Sequence, residues 1–176
     1  IEQIGQIARF DNGNTVTSKY RDYWLFLYFC NGINVADFIT LKYKNITNDE
    51  IYFVRQKTEN TINEQREIRV VIIPQMWDII RKWGNPNKPA NYIFPILTPK
   101  CKDPQLIYNK RRNFNREMNK RRKLIETTLG LQASSTNVAR HSYATILKRS
   151  GANIAYVSES MGHRNLKTTE IYLSSF

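Results

Sequence analysis

Arg140, His163 and Tyr172 follow one another in a single C-terminal stretch, and their side chains together have the means to act on a phosphate. A guanidinium matches the paired oxygens of a phosphate bidentately. An imidazole donates to an oxygen or shuttles a proton near neutral pH. Asn137 lies three residues before Arg140, so on a helix the two share a face. Each residue also has an ordinary explanation: a structural salt bridge for Arg140, a packed ring for His163, core packing for Tyr172. With 10 tyrosines in the chain, only its place in the ordered series singles Tyr172 out. A second group is Arg55 and Lys57, two apart on a predicted strand and so on one side of it. Ile51 and Phe53 share that side, which turns from apolar to cationic towards the hairpin tip, where Lys57 either enters a ligand groove or solvates a sheet edge.

The elements that must carry these residues are mostly helical. Residues 18–29, with Trp24, Leu25, Leu27, Tyr28 and Phe29, read as a buried helix, and residues 34–42 as a shorter one. The runs at 51–54 and 68–73 are β-branched and aromatic, and a polar stretch with Asn60 and Asn63 separates them, which predicts a hairpin with a long turn. Pro74 opens a helix through Trp77, Ile80 and Trp83 that Gly84 ends. Asp103 followed by Pro104 opens a long helix, whose stripe is Leu106, Ile107, Phe114, Met118 and Ile125. Three further helices span 135–149, 154–161 and 166–173, broken at Gly151 and Gly162, where Gly162 lets the chain turn and sets His163 at the start of the next segment.

The 176 residues suit one domain with a real core, and 41% hydrophobic with 24% charged residues fits a globular chain rather than a disordered one. Lysine and arginine number 27 against 15 acids, a net charge of +12 that favours a polyanionic partner, nucleic acid before a membrane surface. The excess is concentrated between Lys100 and Lys123, where Lys110, Arg111, Arg112, Arg116, Lys120, Arg121 and Arg122 meet few acids. This flank of the long helix is either a solvated face or a grip on phosphates. No uncharged apolar run reaches the roughly 18 residues of a membrane-spanning helix. Cys30 and Cys101 make no disulfide framework, and with two histidines they supply no zinc-ligand spacing, so no metal site is expected. Without an initiator Met or signal peptide, the chain reads as a fragment of a longer intracellular protein.

Taken together, these residues resemble the catalytic domain of the tyrosine recombinases, the family of phage and conjugative-transposon integrases. NVARHSYATILKRSG is similar to the family's H-x-x-R-H-(S/T)-x-A-T helix, and ESMGHRNLKTTEIYL to its L-G-H-x-x-x-x-T-x-x-Y segment. The 23-residue interval from Arg140 to His163 and the nine-residue interval from His163 to Tyr172 fit as well. Arg55-Gln56-Lys57-Thr58, a second strand and Ile73-Pro74 resemble the β-hairpin lysine motif. Phe29 to Asp37, followed by Leu41-Lys42, resembles the turn that normally carries a first arginine. The likeness covers the chain from about Thr17 onwards.

The resemblance implies an α+β, mainly α fold: a helical catalytic domain with a small antiparallel β-sheet, filling residues 1–176 as one unit, with the family's N-terminal core-binding domain outside this fragment. It implies that Tyr172 attacks a DNA phosphodiester to give a 3′-phosphotyrosine, that Arg140, Asn137 and His163 hold the non-bridging oxygens, and that Lys57 protonates the leaving 5′ oxygen. Neither cofactor, nucleotide nor metal is implied. The partner would be double-stranded DNA, with a tetramer of the full-length protein on it, in the cytoplasm of a bacterium and on its nucleoid. Two positions depart from the pattern. Asn34 or Asn31 stands where the first arginine belongs, which leaves Arg55 or Arg69 to replace it, and Asn137 stands where the family has histidine. Two alternatives share the class of a non-catalytic DNA-binding module: a decayed recombinase, or a helix–turn–helix over 154–172 with Lys167, Thr168 and Thr169 facing a groove.

Overall fold

The computed structural model describes residues 2–55, 67–132, 134–163 and 165–174. In chain order its elements are helices α1 (Glu2–Arg9), α2 (Thr15–Phe29) and α3 (Val35–Thr40), strands β1 (Ile46–Thr47), β2 (Glu50–Val54) and β3 (Glu67–Val71), then helices α4 (Pro74–Trp83), α5 (Pro104–Thr128), α6 (Val138–Arg149), α7 (Ile154–Ser160) and α8 (Leu166–Ser174). The architecture is mainly helical with one small antiparallel sheet, as the sequence predicts.

Five consecutive buried residues, Tyr23 to Leu27, leave α2 with little solvent-facing surface over that stretch. A helix apolar all round belongs in the middle of a domain, and α2 packs against α1, α4, α5 and α6. Its Tyr23 and Phe26 meet Phe94 with ring centroids 4.9 and 5.0 Å apart, and Phe38 of α3 lies 5.0 Å from the same ring. Phe114 of α5 closes the cluster at 5.8 Å from Tyr23. These edge-on and offset ring contacts are the main core.

The sheet follows from alternation. Ile51 pairs with Val70 and Phe53 with Ile68, so all four face the core while Tyr52 and Arg69 pair on the other side. The β1–β2 hairpin is not evident in the sequence because its turn is Asn48-Asp49 rather than the usual Asn-Gly. Both residues adopt positive φ, 50° and 58°, as a two-residue type I′ turn requires. The loop predicted to join the two longer strands, Lys57 included, lies outside the described residues. Helix α1 is likewise absent from the sequence reading, although it is amphipathic and sets Ile4 and Ile7 against the core.

Helix α5 starts where its signals put it. Asp103 accepts from the backbone N–H groups of Gln105 and Leu106 at 3.0 and 3.2 Å, and Pro104 occupies the first turn. Phe114, Met118 and Ile125 are buried as predicted, but Leu106 is exposed. The larger correction is Arg122. It faces inward, 3% exposed, so it is not part of the cationic surface that its neighbours form. Its guanidinium pairs with Glu126, donates to Ser134 Oγ at 2.6 Å and lies 4.0 Å from the Trp24 ring. Glu126 in turn accepts from the Ser134 N–H at 2.8 Å. One turn earlier on α5, Asn115 and Asn119 accept from the Thr136 hydroxyl and N–H at 2.9 and 3.0 Å. One face of α5 therefore fastens the chain that leads into α6.

The last three helices pack around a smaller apolar cluster of Ala144, Val157, Met161 and Leu173. Among the described residues no helix is long and apolar enough to cross a membrane.

Removing one member of a buried ion pair leaves the other charge uncompensated. Glu126→Ala should therefore lower unfolding stability by about 3–5 kcal/mol in urea denaturation. Arg81→Ala, which breaks an exposed pair with Asp78, should change it by less than about 1 kcal/mol.

Candidate active site

Helix α6 begins at Val138, three residues later than the sequence suggests, because Ser135 and Thr136 form a turn whose carbonyls accept from Val138 and Ala139 at 3.0 and 3.2 Å. Asn137 is thus the cap residue, exposed, one turn from Arg140 rather than inside the helix with it. Arg140 itself points into the molecule. Its Nη1 donates to Gly32 O at 3.1 Å, and its Nη2 donates to Met161 O at 2.6 Å and to His163 Nε2 at 3.0 Å. Burial, and then the Arg55 charge nearby, push the guanidinium down to about 10, so it stays cationic at neutral pH.

Two glycines make this approach possible. Gly32 turns the chain from α2 to α3 at φ 65°, and a Cβ there would stand 2.6 Å from Arg140 Cα. Gly162, at φ 62°, closes α7: its N–H bonds Glu159 O at 2.9 Å, and the His163 N–H bonds Ser158 O at 2.8 Å. These bonds and the left-handed glycine form a Schellman motif. The Gly162 carbonyl then accepts from Arg55 Nη1 at 3.1 Å. A Cβ on Gly162 would meet Ile68 Cδ1 at 2.4 Å and Arg55 Cδ at 2.8 Å.

His163 is buried with its ring held at both nitrogens. Arginine only donates, so Nε2 accepts from Arg140; in neutral imidazole Nδ1 then carries the proton and donates to Thr169 Oγ1 at 2.9 Å. Burial first, and the charges of Arg140 and Arg55 next, hold His163 down at about 4. Thr169 is fully buried in this bond, which corrects the helix–turn–helix alternative: its side chain faces no groove.

Tyr172 projects from α8 into the same cleft. Its ring lies parallel to His141, centroids 5.1 Å apart at 6°, and edge-on to His163 at 5.6 Å and 72°. Burial raises the phenol above its usual value, while the Arg140 charge pulls it down. The structure thus brings Arg140, His163 and Tyr172 together, with Arg55 entering from the sheet. Arg69 is on the opposite face of β3, its side chain 67% exposed, and stacks over Tyr52 at 5.3 Å. Asn34 caps α3 by accepting from the Asp37 N–H at 2.9 Å. With Asn31 it lines a small cavity whose walls also include Asp37, Arg55 and Arg140. Two contributors escaped the sequence reading. Asp37 is buried, and its charge favours the cationic form of Arg140. His141 is adjacent to Arg140 in sequence, but only folding reveals that it meets Tyr172. Of the predicted cationic surface, Arg112, Arg116 and Lys120 are exposed, and Lys110, Arg111 and Arg121 are partly so. Among the described residues no His, Cys, Asp or Glu cluster could hold a metal.

The fold has solved counterparts. The Tn1549 transposon integrase in complex with transposon right end DNA superposes with a TM-score of 0.68 at 16% identity, covering 97% of this chain and 59% of that one. The XerH site-specific recombinase bound to its difH substrate gives 0.63 at 16% identity, covering 96% and 46%. The fold is that of tyrosine recombinase catalytic domains. The chain belongs to the phage integrase family, whose model matches residues 2–176. Among curated relatives, it is 24% identical over 156 residues to the tyrosine recombinase XerD of Rickettsia bellii, covering 83% of this chain and 48% of that protein. It is 29% identical over 130 residues to a tyrosine recombinase of Thermosipho africanus, covering 73% and 42%. This chain spans about half the length of these two relatives.

Unfolded, His163 binds its proton near 6.5; folded, only near 4. Between those values the unfolded chain holds the extra proton, so stability should rise with pH from about 4 to 6.5 and level off above. Melting temperatures measured across that window should show a shallower slope for His163→Gln than for the parent.

Proposed function

We propose that this chain is the catalytic part of a site-specific DNA recombinase or integrase that cleaves and rejoins strands through a 3′-phosphotyrosine. The observation that carries the reading is the convergence of Tyr172, His163 and Arg140 in one cleft, within direct reach of one another. Nothing in general packing requires a phenol from α8, a half-buried guanidinium from α6 and an imidazole from the turn between α7 and α8 to meet at one point.

In the proposed reaction Tyr172 gives its phenol proton to the neutral His163 imidazole, and its oxygen attacks the scissile phosphorus, forms the new P–O bond and expels the 5′ oxygen of the next nucleotide. Arg140 and Arg55 stabilise the negative charge that builds on the non-bridging oxygens. A bound phosphate takes over N–H groups that Arg140 now gives to carbonyls and imidazole. His163 is then released to face an anion, which raises its proton affinity and turns Nε2 from an acceptor into a donor. Arg55 takes the place of the missing first arginine, a role supported by its reach from the sheet to the Gly162 carbonyl beside this cleft. Asn137, at the exposed cap, supplies an amide donor to an oxygen without acting as a base. Lys57 protonates the 5′ oxygen. The phosphotyrosine conserves the energy of the broken bond, so attack by a free 5′-hydroxyl reseals DNA without nucleotide or metal. Double-stranded DNA lies along the cationic flank of α5, and the full-length protein assembles on it as a tetramer in the bacterial cytoplasm.

Three variants test this reading on a nicked suicide substrate. Tyr172→Phe should abolish the covalent protein–DNA adduct while salt-sensitive DNA binding persists; full capture by that variant would refute the assignment. Arg55→Ala should slow adduct formation by about 10²–10³-fold, the usual loss for one charge-stabilising donor, and Arg69→Ala should leave it near the parent rate. Equal effects of the two would remove Arg55 from the proposed site.

A further inference from the structure

We infer that His141 is the positioning residue for the nucleophile: its imidazole is a stacking platform that fixes the Tyr172 ring beside Arg140. The inference rests on the proposed strand-cleavage reading and adds to it a residue whose contribution is geometric rather than protonic.

Helix α8 is held along one narrow line. Thr169 and Leu173, one turn apart, are its buried residues, and Ile171 is 63% exposed. Thr169 is bonded to His163, and the Leu173 carbonyl is capped by Lys148 Nζ at 3.1 Å. Tyr172 lies beside that line, half-buried and packed against the edge of the apolar cluster. Helix packing sets where its backbone is, and ring contacts in the cleft orient the side chain. His163 presents an edge at 72°, and His141 presents a parallel face at 6° and 5.1 Å. That is the offset-stacked distance range in which aromatic pairs gain beyond simple burial.

The covalent arrangement adds to this. His141 and Arg140 are neighbours on α6, and successive residues of a helix point about 100° apart. Arg140 therefore reaches Gly32 and Met161 while His141 turns towards α8. One peptide bond thus ties the group that would grip the phosphate to the face that holds the attacking ring. If α6 shifts, both move together, and the distance between nucleophile and phosphate is preserved.

A flat ring suffices for this task, which separates it from hydrogen bonding or proton transfer. Cleavage of the nicked substrate should fall about tenfold in His141→Ala, with DNA affinity and melting temperature close to the parent, because a misaligned nucleophile loses rate rather than binding. His141→Phe should restore the rate to within about threefold of the parent. A rate in His141→Ala equal to the parent, or a His141→Phe variant as slow as His141→Ala, overturns the inference.

A second measurement reads the same contact without catalysis. With 3-fluorotyrosine placed at position 172 alone, the fluorine resonance should move in His141→Ala and return towards the parent shift in His141→Phe. An unmoved resonance in His141→Ala overturns the platform even where cleavage is seen. Absence of any adduct in the parent, with the resonance still moved, overturns the cleavage reading and leaves the stack standing.

Discussion

The arrangement of the C-terminal half turns on one partly buried cation. Taking a guanidinium out of water costs several kcal/mol unless its N–H groups find acceptors, and Arg140 finds Gly32 O, Met161 O and His163 Nε2. The acceptors come from two distant parts of the chain: the turn after α2, and the end of α7, where His163 lies two residues beyond Met161. Satisfying Arg140 therefore requires the α2–α3 turn, α6 and the α7 terminus to sit together. It also accounts for the glycine at position 32, where any larger residue would collide with the Arg140 backbone. An acid that lines the same cavity and favours this charge is Asp37, which bonds Asn34 at the α3 cap.

Helix α5 shows how one element serves two electrostatic ends. Its outer flank keeps a row of cations in water, where they are well solvated and able to meet a polyanion. Its inner face turns the same residue type inwards. Arg122 lies over Trp24 and bonds Glu126 and Ser134, while Asn115 and Asn119 hold Thr136, so this face ties α5 to the start of α6. The cationic flank and the arginine of the candidate site are thereby carried on elements fastened to one another.

Much of this was legible in local chemistry. Asp103-Pro104 and Pro74 announced helix starts, Gly84 and Gly162 announced ends, and alternation announced the two longer strands, because caps, turns and the two-residue strand period act over a few residues. The boundaries that moved did so for equally local reasons: the turn at Ser135–Thr136 displaced the start of α6, and the Asn-Asp turn hid β1 because it lacks the glycine that usually marks such a hairpin.

Residue types and spacing by themselves determined the family likeness and the ordered series of Arg140, His163 and Tyr172. Tertiary structure alone decided which cations face what. Arg55 and Arg69 look equivalent along the chain; pairing of β2 with β3 sends one to the Gly162 carbonyl and the other to solvent. Arg122 looks like its neighbours in a basic run until α2 packs against that turn of α5. The physical reason is the same in each case. A charge is placed by whichever distant groups can neutralise or solvate it, and those groups, Gly32 for Arg140 and Gly162 for Arg55, lie 108 and 107 residues away in sequence.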